Sequence, residues 1–140
     1  TEYGEKYQEV MEINYLQKSN KMKTMNLKVK IKDISPAIVI YVNSIGAYED
    51  KGTEEAWKKV CQFAEENKLF GRHTAFIGIS HDDPNVTEAK KLRYDACVVV
   101  GKDVSPKGEV GVKTIDGGKY AIFLHKGPYE NFKYTYDYIF

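Results

Sequence analysis

No stretch of this 140-residue chain approaches the ~18 consecutive apolar residues that a bilayer span requires. No basic segment followed by an apolar core opens it, so neither a membrane helix nor a secretory leader is expected. A basic excess is lacking too: 21 Lys and Arg stand against 20 Asp and Glu, a formal charge of +1. A stand-alone nucleic-acid binder ordinarily carries far more positive charge. Cysteine is scarce, and neither Cys61 nor Cys97 has a histidine at metal-ligand spacing. Each sits in an apolar run, WKKVCQF and DACVVV, as a small buried hydrophobe does; a disulfide or a nucleophile is the alternative. A cytoplasmic location is the expectation that goes with such cysteine usage. What remains is 42% apolar and 29% charged, the balance of one folded domain, with 11 tyrosines among its aromatics.

Residues 1–26 differ from the rest. Tyr7, Val10, Met11 and Tyr15 share a face at helical spacing, and no acidic residue occurs between Ile13 and Lys32. Residues 1–32 carry a net charge of +3, the remainder −2. A helical extension and basic linker is expected, a solvated connector with a nucleic-acid arm as the alternative. The folded domain runs over 27–140. VKIKDI predicts a strand with one exposed face, Ser35-Pro36 breaks it, and AIVIYV predicts a more buried strand that Gly46 ends. Thr53 is a candidate helix cap, with Ala56, Trp57, Val60, Cys61 and Ala64 on one face and Gly71 beyond the end. TAFIGIS and YDACVVVG read as strands, HDDPNVTEAKK between them as a loop. EVGVKTI and KYAIFLH predict a hairpin around Asp116-Gly117-Gly118, and a second helix starts at Tyr129.

This order invites a search for a repeat. A shift of 81 residues pairs Val29 with Val110, Lys32 with Lys113 and Ile34 with Ile115. The same shift pairs Gly46-Ala47-Tyr48-Glu49 with Gly127-Pro128-Tyr129-Glu130. The fold class expected is α+β: two β-β-α-β-β modules with antiparallel sheets and pseudo-twofold symmetry, enclosing a shared space. The chain stops inside the second module's helix, so a covering C-terminal segment, another chain or the N-terminal extension is expected to complete it.

Hydrolytic chemistry has little support. There is no G-x-S-x-G, and His73, His81 and His125 are too far apart for a metal site. Gly117-Gly118 precedes a strand pattern where phosphate cradling needs a helix. His81-Asp82-Asp83-Pro84 suits a turn better than catalysis. Strand alternation puts Arg93 and Asp95 on one face with Tyr94 opposite, as a local ion pair or a sheet-edge charge, with a ligand contact as the alternative. Tyr48 and Tyr129 occupy equivalent turns, where each ring either faces a cleft or seals a helix start. No catalytic residue, metal ligand or cofactor is expected.

Together, GAYE, AWKKV, FIGISHDDP, LRYDACVVV and GGKYAIFLHKGPYE resemble the GyrI-like effector-binding domain, found in AraC-type transcriptional regulators and in stand-alone gyrase-inhibitory proteins. The resemblance covers residues 27–140. It implies a duplicated β-α-β-β module and a cleft between the two repeats for an amphipathic aromatic or cationic small molecule. It also implies a later strand, beyond Phe140, bearing an acidic pocket residue. Candidate ligand contacts are Tyr48, Trp57, Phe76, Tyr94, Phe123 and Tyr129. The function implied is the effector-binding domain of a bacterial regulator of the AraC family. Its partners would be a small-molecule effector, DNA only through a separate helix-turn-helix domain, no membrane, and a second copy in a homodimer. A gyrase-inhibitor-like interaction protein and a GyrI-like hydrolase are the alternatives.

Overall fold

The computed structural model describes residues 29–123. The N-terminal extension, Tyr129 and the helix expected from it lie outside the described residues. The elements run in the order read from the sequence: β1 (Val29–Ile34), β2 (Ala37–Ile45), α1 (Lys51–Glu66), β3 (Phe76–Ser80), β4 (Arg93–Val99), β5 (Gly111–Ile115) and β6 (Gly118–Phe123). A short 3-10 turn, Ala89–Lys91, lies in the loop before β4. All strand pairings among the described residues are antiparallel.

The chain divides into two compact units, Thr1–Ser35 with Gly117–Phe140, and Pro36–Asp116. In the first, β1 pairs with β6, Ile34 opposite Gly118. In the second, four strands run in the order β3-β4-β2-β5, with Ala37 opposite Ile115. The hairpin expected around Asp116-Gly117-Gly118 is therefore corrected: β5 and β6 enter different sheets. Local turn chemistry suggested a tight reversal there, but pairing is decided by the distant strands. β1 and β2 part at Ser35-Pro36, where proline has no N–H to give a ladder. β1 also differs from expectation in burial, since Lys30 to Asp33 are all exposed and Ile31 is 59% exposed.

Helix α1 begins three residues earlier than a cap at Thr53 implied. Asp50 is its extended N-cap residue, without a side-chain capping bond, and Glu54 in the first turn faces the positive end of the helix dipole. At the other end the chain leaves the helix at Asn67, and Lys68, rather than Gly71, takes the left-handed conformation at φ 54°. The helix buries the face its spacing predicted: Ala56, Trp57, Val60, Cys61 and Ala64. Trp57 meets Phe76 and Tyr94 edge-on, with ring centroids 6.3 and 6.5 Å apart. Strand alternation then places Ala96, Val98, Ile40 and Val42 on the same helix-facing side, all buried. Burial of each large side chain in this core contributes about 1.5–3 kcal/mol.

β4 is buried on both faces. Its helix-facing residues alternate with Asp95 and Cys97, 3% and 0% exposed. The side of the sheet opposite α1 thus has a dry centre, with Val39 and Cys97 fully buried, and a charged residue set into it.

Candidate functional site

A carboxylate almost closed to solvent must be paired or protonated, so Asp95 defines the site to be explained. Asn43 lies opposite it on β2 and Ile79 opposite it on β3. Asn43 Nδ2 donates to Asp95 Oδ1 at 2.8 Å and to the Tyr94 carbonyl at 3.3 Å. His81, directly after β3, places Nε2 2.6 Å from Asp95 Oδ2. Lys113 on β5 donates from Nζ to the same oxygen, and its Nζ stands 4.4 Å from the centroid of the Tyr41 ring. Tyr41 in turn lies across Gly111, its register partner, where a Cβ would come within 2.7 Å of the ring.

Burial pushes the Asp95 carboxyl up, but Lys113, Asn43 and His81 together pull it further down, so it sits below the ordinary aspartate range. The group is an anion at neutral pH, beneath a rim on which the Lys113 and His81 side chains are 29% and 33% exposed. Such a site can anchor a charged group electrostatically. It is poorly equipped for nucleophilic chemistry, because burial pushes the Cys97 thiol up to about 12 and the Cys61 thiol to about 11. Both cysteines are free and buried, as their apolar contexts suggested. Among the described residues, no cluster of three or more His, Cys, Asp or Glu could hold a metal ion. Nor, among them, is any helix long and apolar enough to cross a membrane.

The residues singled out in the sequence fall elsewhere. Trp57, Phe76 and Tyr94 pack between the helix and the sheet, on the side away from Asp95, with Trp57 Nε1 donating to Tyr94 Oη at 3.1 Å. Tyr48 is half-buried at the strand-to-helix turn. Its hydroxyl donates to the Asp82 carbonyl at 2.8 Å and accepts from the Asp82 N–H at 3.1 Å. That joins the turn to the loop after β3, and burial pushes the Tyr48 hydroxyl up. Phe123 is 2% exposed at the end of β6, in the other unit. Arg93 does not pair with Asp95 as alternation allowed. It forms a two-pronged bond to Asp82, from Nε at 3.1 Å and from its terminal nitrogen at 2.8 Å, and Asp82 also accepts from the Arg93 N–H. Asp83 accepts from the Asn85 N–H, so HDDP is the turn its composition indicated. Tyr41, Asn43 and Lys113 were missed as site residues. The available signal was Asp95 itself, a charge inside the apolar run YDACVVV.

With this geometry in hand, residues 27–140 match the GyrI-like small molecule binding domain. The chain belongs to that family. Among curated proteins, it is 31% identical over 98 residues to the "SPbeta prophage-derived putative transcriptional regulator YosT" of Bacillus subtilis (strain 168), an alignment covering 70% of this chain and 65% of YosT. The chain thus spans less than two thirds of that relative's length. Two solved structures share the GyrI-like fold at 20% identity and a TM-score of 0.66. One is the EcmrR C-terminal domain, matched over 82% of this chain and 73% of that one. The other is EcmrR in a complex with DNA, matched over 89% of this chain and 47% of that one. Neither YosT nor EcmrR is named as an AraC-type protein, so the AraC parentage expected from the sequence is not supported. What stands is a GyrI-like small-molecule binding domain related to a transcriptional regulator.

Proposed function

We propose that this chain is the ligand-sensing domain of a bacterial transcriptional regulator and that it binds an amphipathic aromatic or cationic small molecule. The observation that carries the reading is Asp95, an ionised carboxylate set into the apolar face of the GyrI-like sheet that α1 leaves uncovered. An apolar surface with one buried charge is the usual make-up of a small-molecule site. Trp57, Phe76 and Tyr94 brace that sheet from behind, and Tyr48 fixes the turn beside it. Phe123 and Tyr129 keep the ligand-contacting role the resemblance gave them. DNA contact belongs to a separate helix-turn-helix domain, with residues 1–26 as the connector to it and a homodimer as the working assembly.

The 81-residue duplication belongs to the same proposal, and the pairing pattern supports it. The shift carries β1 onto 110–115, which holds β5, and carries β6 back onto 37–42, the start of β2. The pairs β1–β6 and β2–β5 are then one exchange made twice: the first strand of each repeat joins the second strand of the other.

Ligand binding is expected to bias the domain between two arrangements, which the connector passes on. Titrating a panel of planar aromatic and cationic compounds while following Trp57 and tyrosine fluorescence tests this. Saturable responses from amphipathic members are expected. A folded protein that responds to none of them refutes the proposal.

A further inference from the structure

The Asp95 carboxylate and the Tyr41 ring together make a cage for an ammonium group, and the protein's own Lys113 occupies it. Each wall is held without help from the lysine. Asn43 and His81 bond the two carboxylate oxygens of Asp95, one each. The Tyr41 ring lies against Gly111, which has no side chain to push it away. Lys113, by contrast, is suited to leave. It projects from β5, the last strand of the four-stranded sheet among the described residues, and its side chain is 29% exposed. A carboxylate combined with an aromatic face is the chemistry that recognises an organic ammonium ion.

We propose that this cage is a ligand subsite for an alkyl- or arylalkyl-ammonium group, and that Lys113 is its tethered internal competitor. The inference rests on the effector-binding reading and names the recognised group and its regulation. An incoming amine takes the place of the Lys113 ammonium on Asp95 and Tyr41, and the lysine swings out to solvent. Ligand affinity is then reduced by the fraction of molecules whose cage is already filled. Removing the lysine tightens amine binding, whereas removing a lysine that itself contacts the ligand weakens it. That difference of sign makes the proposal testable.

The probes are n-butylammonium, which reproduces the lysine stem and head group, and 2-phenylethylammonium. Both are titrated by calorimetry into the whole chain, as wild type and as Lys113→Ala. The alanine variant is expected to bind each amine at least about tenfold more tightly than wild type. Adding Asp95→Asn to Lys113→Ala abolishes the gain, and adding Tyr41→Leu reduces it by about fivefold, the worth of one cation–π contact. Equal affinities in wild type and Lys113→Ala, or a gain that survives Asp95→Asn, overturn the inference. If Lys113→Ala does not fold alone, n-butylammonium is expected to restore folding where n-butanol does not. Failure of that rescue overturns the inference as well. A fluorescence response to the broader panel that is the same in wild type and Lys113→Ala overturns the cage while leaving effector binding intact. No response in either protein, with both folded, removes both readings.

Discussion

Replacing Gly78 by alanine probes the close approach of the Tyr94 ring to β3 in the helix–sheet core. Gly78 lies opposite Ala96 in the β3–β4 ladder, and the Tyr94 ring crosses directly over it. An alanine Cβ would sit 2.0 Å from Tyr94 Oη and 2.8 Å from Cζ, well inside contact distance. The hydroxyl is the far end of a side chain, so the ring could in principle swing aside. Here it is held: Tyr94 is 8% exposed, its Oη accepts from Trp57 Nε1, and the Tyr48 ring lies 6.0 Å away. Overpacking at such a site costs about 1–3 kcal/mol, and a weakened buried hydrogen bond adds about 1 kcal/mol. Alanine's lower backbone entropy in a strand returns about 0.5–1 kcal/mol. The net expectation is a loss of about 2–3 kcal/mol, a fall in Tm on the order of 10 °C. Urea unfolding followed through Trp57, the one tryptophan of the chain, measures it. Tyr94→Phe removes the atom that clashes most, so Gly78→Ala should cost clearly less in that background. A Gly78→Ala variant within about 0.5 kcal/mol of wild type, or a cost unchanged by Tyr94→Phe, would refute the packing argument.

Three further outcomes are expected. Asp95 has a depressed folded-state value, so its contribution is complete above the unfolded aspartate pKa of about 3.9 and is lost as the pH falls through the folded value. Urea midpoints measured from neutral to acid pH should therefore drop more steeply for wild type than for Asp95→Asn, and parallel curves would contradict the assignment. Cys61 and Cys97, with thiols pushed up to about 11 and about 12, should resist a disulfide reagent at pH 8 until urea unfolds the chain; a thiol labelled within minutes in the native protein would count against their burial. Lys68→Gly relieves a left-handed lysine at the end of α1 and should raise stability by about 0.5–1 kcal/mol in the same urea assay, whereas a loss would show that the lysine makes a compensating contact.

The legible parts of this molecule were those governed by local period. Alternation every 3.6 residues gave the buried face of α1 from Ala56 to Ala64, and Asp-Asp-Pro gave the turn after β3. Partner choice was not local and could not be read in the same way. Asp116-Gly117-Gly118 has hairpin chemistry, yet β5 joins β2 and β6 joins β1, because side-chain burial along distant strands outweighs turn preference. The site failed to appear for a related reason. Asp95 was visible as a misplaced charge, but its partners sit 52, 14 and 18 residues away, on three other segments of the chain. The aromatic inventory also drew attention to Phe76 and Tyr94, which strand alternation alone could not assign to the helix-facing side of the sheet or to the other, whereas Trp57 was legible on the buried face of α1.

The central position of β2 has a consequence for how the molecule comes to exist. Its two neighbours, β4 and β5, begin at Arg93 and Gly111, long after β2 itself ends at Ile45. During synthesis from the N-terminus, β2 emerges with both edges open and waits for partners that do not yet exist. Closing such distant pairs has an entropic cost before any contact rewards it, which places the domain among slower-folding topologies. Lys113 is the last member of the Asp95 cluster to leave the ribosome. Until it arrives, the nascent sheet has an acidic residue without its cation, and an interior that is not yet sealed.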